Sequence, residues 1–158
     1  MNTQEIYDIL KAEFGDSIIE MKQEAASDAF IVVDARKIYD ICYALRDKPE
    51  FEFDYLSCLS GMDLGENLGV VYHLYSFKYK HKLVIKVFVP KSAPNVPTVE
   101  KIWRTADWHE REAYDLLGVI FEGHHNLIRI LCPYDWVDFP LRKDYVQPEE
   151  YHNMKVPY

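Results

Sequence analysis

The chain has 158 residues, of which 49% are hydrophobic and 28% charged, and its formal net charge is -8. This length fits one folded domain, and the composition excludes a disordered chain. The acidic balance argues against a nonspecific nucleic-acid binder, because such proteins neutralise phosphates with clustered lysine and arginine. The first residues have neither a basic start nor an apolar core, so no secretory signal peptide is expected. No apolar run reaches the roughly 20 residues that span a bilayer.

The three cysteines, Cys42, Cys58 and Cys132, are widely spaced and form no C-x-x-C pair. Their odd number argues against a disulfide framework and favours a cytosolic compartment. An iron–sulfur cluster normally takes about four thiolates. We therefore expect structural thiols and no cluster held by this chain alone.

The chain begins with a pattern of one helix and two strands. Apolar side chains recur at helical spacing after Asn2 or Thr3, either of which can cap the helix, and Gly15 ends it. Strands are expected at residues 17–23 and 30–33, where short apolar runs occur.

A second helix is expected after Asp34, whose side chain suits the N-cap position, and Pro49 stops it. Its apolar stripe consists of Ile38, Ile41, Cys42 and Leu45. A strand follows at residues 55–61, and residues 62–69 have the glycine-rich composition of a turn.

Two further strands are expected at residues 70–80 and 82–90, separated by a turn at residues 80–81. In the second of them apolar and lysine side chains alternate, so one face of the sheet is packed and the other is more exposed. A third helix is expected to begin after Thr98 as its N-cap, and the helical pattern either continues or resumes through residues 109–118, where Gly118 ends it. Its apolar face consists of Val99, Ile102, Trp103 and Ala106.

The element order α-β-β-α-β-β-β-α predicts an α+β domain of two layers over residues 1–132, with a mainly antiparallel mixed sheet and the helices on one side. Residues 133–158 show no regular pattern and are predicted to form an extended C-terminal strap. The strap is rich in rings, which a lone domain would expose unfavourably, so we expect it to lie on a partner. Its aromatic residues are Tyr134, Trp136, Phe139, Tyr145, Tyr151 and Tyr158.

An acid/base cluster of Glu110, Glu112 and Asp115 is one interpretation of the charged stretch that follows Trp108. On a helix, Glu112 and Asp115 share a face and Arg111 forms an i,i+4 ion pair with Asp115. No substrate-binding residues are evident beside them, so a salt-bridge network that fixes the helix is the favoured interpretation.

A zinc site of His109, His124 and His125 is a second interpretation. Adjacent histidines point apart in an extended chain, and no further ligand follows at finger spacing. Residue 113 is alanine, so the sequence HEREA lacks the second histidine of H-E-x-x-H. We therefore expect His124 to be a hydrogen-bonded structural residue and the purified chain to bind no stoichiometric metal. Nucleotide-binding glycine loops and a nucleophile elbow are also lacking.

The stretch is more easily explained as an interface, and it carries a recognisable pattern of residues. In chain order these are Glu110, Arg111, Glu112, Asp115, Leu116, Leu117, Gly118, Phe121, His124, Arg129, Ile130, Trp136, Pro140, Leu141, Arg142, Lys143, Asp144 and Tyr145. Their order and spacing closely resemble the signature of the C subunit, or 30 kDa-type subunit, of respiratory complex I, the proton-pumping NADH:quinone oxidoreductase. The N-terminal part agrees with that family only in its α+β pattern.

Four positions depart from the family pattern. His125 stands where many members have proline, Ile128 where a basic residue is frequent, Asp138 where glycine is usual, and Val146 where a proline closes the motif. These departures put the local shape of the loops in doubt.

The resemblance implies a non-catalytic, cofactor-free subunit of the peripheral arm, at the cytoplasmic face of the bacterial inner membrane. Its partners would be the large D subunit, which forms the quinone site, and the cluster-bearing B and I subunits. FMN, the iron–sulfur clusters and quinone would belong to the rest of the complex, which couples electron transfer from NADH to quinone to proton translocation. Arg142 is expected either to grip a carboxylate of the quinone-site subunit or to hold the strap against the helix of Glu110 and Asp115.

Two alternatives remain open. A similar subunit occurs in membrane-bound [NiFe] hydrogenases and formate hydrogenlyases. A stand-alone metal-dependent hydrolase using Glu110, Glu112 and His124 is a hypothesis of a different class.

Overall fold

Three α-helices lie within residues 1–23 and 28–156, which the computed structural model describes. They are α1 (Thr3–Phe14), α2 (Ile38–Asp47) and α3 (Ala106–Leu117). The start of α1 is a capping box, because the Asn2 side chain accepts the Glu5 N–H and the Glu5 carboxylate accepts the Asn2 N–H. Asp34 caps a single 3-10 turn, Ala35–Lys37, that leads into α2. None of the helices in the described ranges has the length and apolar content needed to cross a membrane.

The helices pack on a five-stranded sheet with the order β1-β2-β5-β4-β3. Its strands are β1 (Ile18–Lys22), β2 (Phe30–Val33), β3 (Tyr55–Asp63), β4 (Asn67–Tyr75) and β5 (Lys82–Pro90). Every neighbouring pair is antiparallel except β2 and β5, which are parallel. The predicted α+β class, with a mainly antiparallel mixed sheet, is confirmed.

The boundaries of the third and fourth strands differ from the prediction. The turn predicted at residues 62–69 is confined to residues 64–66, because Asp63 accepts the Gly65 N–H and closes a tight connection. The strand predicted to reach residue 80 ends at Tyr75. Ser76 folds the following residues into a turn, since its carbonyl accepts the Lys80 N–H.

The predicted start of the third helix is wrong. Residues 98–105 form turns, and α3 begins at Ala106. Thr98 does not cap a helix, because its hydroxyl donates to Glu110 and accepts the Glu100 N–H. The apolar residues at helical spacing here lie on successive turns of irregular chain. Their side chains, including the Trp103 ring, still point into the core and are buried.

One large core lies between the helices and the inward face of the sheet, and all three helices contribute to it. The opposite face carries a smaller apolar cluster of Phe30, Val32, Val71 and Val84. Lys86 lies 3.5 Å from the centre of the Phe30 ring on that face. The helices therefore lie on one side of the sheet, as predicted.

Outside the main sheet the chain forms short strands that the sequence pattern did not predict. A strand β6 (Asn95–Pro97) pairs in parallel with β7 (Ile120–Glu122), and β8 (Glu150–Tyr151) pairs with β9 (Met154–Lys155) in a hairpin. Between β7 and β8 the chain is made of turns and extended backbone. Tyr158 of the strap lies outside the described residues.

Candidate functional site

Asp115 is the centre of a hydrogen-bond network that fastens the segment after β7 to α3. Its buried Oδ2 accepts the N–H groups of Ile130, Leu131 and Cys132 at 2.7–2.9 Å, and its Oδ1 accepts Arg129 Nη1 at 2.8 Å. Burial alone would raise the pKa of Asp115, but these donors outweigh it and lower the pKa to about 2. The carboxylate therefore stays charged inside the protein.

Arg129 extends the same network to the strap. Its Nη2 donates to the carbonyls of Trp136 at 2.8 Å and Asp138 at 2.9 Å, while Nη1 also reaches the Asp115 carbonyl. One guanidinium thus joins the end of α3 to two turns of the strap, as its planar fork of donors allows.

The predicted ion pair between Arg111 and Asp115 is not formed. Arg111 instead donates to the carbonyls of Ile128 and Arg129, both at 3.1 Å. Glu112 is exposed whereas Asp115 is buried, so these two acids have different surroundings. The local i,i+4 pattern failed here because Asp115 turns inward toward donors from a distant segment.

Arg142 holds the strap against the C-terminal end of α3. Its Nε donates to the Leu117 carbonyl at 2.6 Å, and its guanidinium lies 4.5 Å from the centre of the Phe139 ring. Gly118 has φ 75°, and a Cβ there would lie 2.5 Å from both Arg142 Nη2 and the Phe139 ring. Of the two roles predicted for Arg142, the structure has the contact with the helix.

Lys91 joins the strap to the ends of β3 and β5. Its Nζ lies 2.9 Å from both Asp63 Oδ2 and Asp144 Oδ1. Asp63 also accepts the Lys143 N–H at 2.8 Å and the Gly65 N–H at 2.7 Å. Burial opposes ionisation of Asp63, but Lys91 and the two N–H groups lower its pKa to about 2.

Trp136 and Tyr145 fix the strap to the terminal hairpin. Trp136 Nε1 donates to the Tyr145 hydroxyl at 3.2 Å, and the Trp136 ring lies 5.0 Å from that of Tyr151. The Tyr151 hydroxyl in turn donates to Asp135 at 2.8 Å. The strap therefore has a small aromatic cluster of its own, formed with its terminal hairpin.

Glu110 is fully buried and lies apart from the other two acids of the predicted acid/base cluster. Its Oε1 accepts the Val99 N–H at 2.8 Å, and its Oε2 accepts the Thr98 hydroxyl. Burial raises the pKa of Glu110 to about 8, which these two hydrogen bonds only partly offset. Because Glu110 is enclosed, Asp115 is occupied and Glu112 is exposed, the structure does not bring the three together.

His109 does not join the other two histidines of the predicted zinc site. His109 covers the edge of β3, where its Nδ1 lies 3.2 Å from both the N and the O of Leu59. His124 is buried and, as predicted, hydrogen-bonded: Nδ1 accepts the Asn126 N–H at 3.0 Å and Nε2 lies 3.2 Å from the Asp107 carbonyl.

His124 and His125 do not point apart, contrary to the prediction from an extended chain. Their rings stack with centres 5.2 Å apart, because the loop after β7 is a turn. His125 donates its N–H to Glu100 Oε1 at 2.9 Å, and its Nδ1 lies 2.7 Å from Glu100 Oε2. No sequence signal pointed to Glu100 and Asp107, which are 25 and 17 residues from their histidine partners.

An exposed apolar row runs along the segment that these contacts hold in place. Tyr134 is 92% exposed and Val146 is 82% exposed, while Pro140 between them is partly buried. The row consists of Ile128, Leu131, Tyr134, Val137, Leu141 and Val146. We call these six side chains the apolar row.

Known proteins with similar sequences are respiratory subunits. The family described as "Respiratory-chain NADH dehydrogenase, 30 Kd subunit" matches residues 31–151. The C subunit of the NADH-quinone oxidoreductase of Chloroherpeton thalassium is 47% identical over 154 residues, which cover 96% of this chain and 64% of that relative. The chain thus spans less than two thirds of that relative's length. The protein of the same name from Chlorobium phaeobacteroides is 44% identical over 96% of this chain and 93% of its own length.

Two solved structures share the fold. A trypsin-resistant fragment (1-134) of Nqo5 matches with a TM-score of 0.63 and 25% identity, over 77% of this chain and 98% of the fragment. A chain of the membrane-bound sulfane sulfur reductase, an archaeal respiratory membrane complex, matches with a TM-score of 0.67 and 24% identity, over 90% of this chain and 85% of its own. From the family match and these identities, the chain belongs to the family of the 30 kDa subunit, or C subunit, of the respiratory-chain NADH dehydrogenase.

Proposed function

We propose that this chain is a non-catalytic subunit of NADH:quinone oxidoreductase that supports assembly of the complex and holds its large quinone-site subunit. The apolar row carries the proposal. The charged motif residues Asp115, Arg129, Arg142 and Asp144 are engaged within the chain, so the bulky apolar side chains beside them are what the segment offers to a partner. Exposed apolar groups concentrated in one segment are typical of protein interfaces.

In this proposal the charged motif residues hold the strap in shape, and the apolar row binds the partner subunit. Ionic groups that are already paired gain little from a partner, whereas each large apolar side chain contributes about 1.5–3 kcal/mol when it is fully buried. We place the cluster-bearing B and I subunits as further neighbours. Membrane attachment would run through these partners, at the cytoplasmic face.

The boundary after residue 132 belongs to the same proposal. The Nqo5 structure is described as a trypsin-resistant fragment and matches 77% of this chain, which is compatible with a stable α+β domain followed by a separable strap. In this chain the strap would be covered by partner subunits, so residues 133–158, with Ile128 and Leu131 just before them, form the partner-binding segment.

The redox cofactors, FMN, the iron–sulfur clusters and quinone, are assigned to other subunits in this proposal. The chain has three cysteines, fewer than the roughly four thiolates that a cluster normally takes. A stand-alone hydrolase is not proposed, because Glu110 is enclosed and Glu112 lies exposed away from it. Three relatives at 41–47% identity are named as NADH-quinone oxidoreductase subunits, and none of these three is named as a hydrogenase subunit.

Assembly assays on charged variants of the apolar row test this function. We expect Leu131→Asp and Val146→Asp to lower the amount of assembled complex and its NADH:quinone reductase activity together, because a buried unpaired carboxylate disfavours the interface. Activity per assembled complex should stay unchanged. Blue-native gels and activity measurements on membranes give both quantities.

Ile19→Asp is the matched control, since Ile19 is 55% exposed but lies in β1, outside the row. It should leave assembly unchanged. An equal loss in the control, or normal assembly with inactive complexes in the row variants, would contradict the proposed function.

A further inference from the structure

We propose that Glu100, Asp107, His124 and His125 form a binding site for a divalent metal ion with the preferences of zinc. The site lies where the turn before α3, the first turn of α3 and the loop after β7 meet. It goes beyond the proposed function and does not depend on it. It also replaces the expectation of a metal-free chain, which rested on the histidines and cysteines and did not include Glu100 and Asp107.

The four side chains offer ligand atoms at the spacing of a metal site. One ligand atom from each lies within 4.8 Å of every other. His124 Nε2 is 3.2 Å from Asp107 Oδ1 and 3.5 Å from Glu100 Oε2. Ligands bound at about 2.0–2.2 Å in a tetrahedron around zinc lie roughly 3.3–3.6 Å apart. Small side-chain movements would therefore close the set around one ion.

Asp107 leaves one carboxylate oxygen available to a cation. Its Oδ1 is shielded from solvent and lies 3.2 Å from His124 Nε2, but it accepts no well-directed hydrogen bond from the described residues, and the Asp107 side chain as a whole is 26% exposed. Metal coordination is one of the ways in which proteins compensate a shielded carboxylate oxygen. Lys101 and Arg104 line the same pocket, but within the described part of the chain neither forms an ion pair with Asp107.

The chemistry of the four ligands favours zinc. Two carboxylates balance a divalent charge, while two neutral imidazoles supply nitrogen ligands that magnesium and calcium rarely take. Four protein ligands without an open position are typical of a structural site. An open pocket of about 610 Å³, lined in part by Glu100, Asp107 and His125, gives an ion access.

His124 has to change tautomer when the ion binds. Its Nδ1 now accepts the Asn126 N–H, so its single ring proton is on Nε2. Coordination through Nε2 requires that proton to leave and a proton to be held at Nδ1, which keeps the imidazole neutral. The Asn126 backbone then has to shift so that its N–H binds water instead of Nδ1, and Asn126 lies in an exposed part of the loop. The exchange gives the site a spectroscopic signature.

Titration of the full chain tests the site. The protein is treated with EDTA, dialysed, and titrated with ZnCl₂ by calorimetry at about pH 7.5, where a free imidazole is neutral. We expect one zinc ion per chain. Asp107→Asn and His125→Gln should each weaken zinc binding by at least about 100-fold, more than loss of an outer-shell contact usually does. His125 is exposed, so its replacement leaves the fold intact even if Asp107→Asn does not.

His152→Gln is the matched control, because His152 forms a similar pair with Asp135 at 2.8 Å outside the site. It should bind zinc like the parent chain. NMR of the imidazole nitrogens should show the His124 proton on Nε2 without metal and on Nδ1 with zinc. Absence of zinc binding, equal binding by the His125→Gln variant, or a His124 tautomer that zinc does not change would each overturn the proposal.

Discussion

Asp138 has φ 62°, in the left-handed region that glycine adopts freely and other residues rarely. Members of the family usually have glycine at this place, two residues after the tryptophan. The Asp138 carbonyl accepts a hydrogen bond from Arg129, so the turn has to keep this conformation. The family's glycine therefore reflects backbone geometry, and aspartate is one of the few residues that tolerate it.

His125 explains a second departure from the family pattern. Its N–H donates to Glu100, a hydrogen bond that the proline of many members lacks the donor to form. The contact between Glu100 and the His125 ring raises the pKa of His125, so the loop gains a charge-assisted contact in place of a rigid proline. In this loop the contacts of His125 with Glu100 take the place of the rigid backbone that proline would give.

Gly118→Ala should lower the free energy of unfolding by about 2–5 kcal/mol. The left-handed backbone contributes roughly 1–2 kcal/mol of this and overpacking about 1–3 kcal/mol. The overpacking arises because the new Cβ would meet Arg142 and Phe139 at 2.5 Å. Urea unfolding of the purified chain measures the change.

Gly123→Ala is the control for that substitution. Gly123 has φ 83°, but a Cβ there would meet only Thr98, at the ordinary distance of 3.6 Å. Gly123→Ala should lower the free energy of unfolding only by the cost of a left-handed backbone at alanine, about 1–2 kcal/mol. If the two variants lose the same free energy, the contact between Gly118 and the strap contributes nothing.

Among the helices and strands, the sequence predicted those in which apolar residues recur with the period that places them on one packed face. The alternation in β5 and the capping residues Asn2 and Asp34 were sufficient for those elements. The third helix was extended too far toward the N-terminus, because apolar residues in successive turns have nearly helical spacing. Hydrogen bonds of Thr98, which no local pattern reveals, decide between a turn and a helix there.

The sequence identified residues that attach the strap to α3, but it did not predict the contacts that these residues make. Family resemblance identified Asp115 and Arg129, but the i,i+4 rule paired Asp115 with Arg111. The donors that Asp115 uses are 14 to 17 residues away, beyond the reach of a rule for one helix. Such contacts depend on the path of the loop after β7, which contains little regular structure.

The attachment should respond to acid through Asp115. Its pKa falls from 3.8 in the unfolded chain to about 2 in the folded chain. A depressed folded pKa contributes stability that is present above pH 3.8 and lost as pH falls toward 2, which amounts to about 2 kcal/mol. We therefore expect the difference in unfolding free energy between the parent chain and Asp115→Asn to shrink by about 2 kcal/mol from pH 5 to pH 2.

Urea unfolding at a series of pH values checks this expectation. Glu112→Gln is the control, because Glu112 lies on the same helix but is exposed. Its difference from the parent chain should not change with pH over this range. A difference for Asp115→Asn that is constant with pH would show that Asp115 has an ordinary pKa in the folded chain.

In the whole molecule, the sequence encodes the two-layer domain and the strap in different ways. The core is encoded by apolar runs in the strands and by the alternation along β5, so the sequence predicted a sheet with one packed and one more exposed face. The strap is held by single long-range contacts, such as Lys91 with Asp144, that have no periodic signature. Its aromatic content alone suggested a partner, whereas part of that surface is covered by its own hairpin.

Arg142→Ala should loosen the strap before any partner is present. The variant loses a charged hydrogen bond to the Leu117 carbonyl and the stacking on Phe139, together about 2–4 kcal/mol. Hydrogen exchange of residues 139–146 in the isolated chain should become faster. Lys143→Ala is the control, because the Lys143 side chain is exposed and only its backbone N–H contacts Asp63.

In the complex, the same loosened strap would present the apolar row poorly to the quinone-site subunit. Arg142→Ala should therefore lower the amount of assembled complex and its quinone reductase activity in parallel, with activity per assembled complex nearly unchanged. Arg142→Lys should recover only part of the assembly, since an ammonium keeps the charge but lacks the planar group that lies over Phe139. A complex that assembles normally with Arg142→Ala and yet loses its activity would place Arg142 in the coupling or the chemistry, and the strap would then be more than a support.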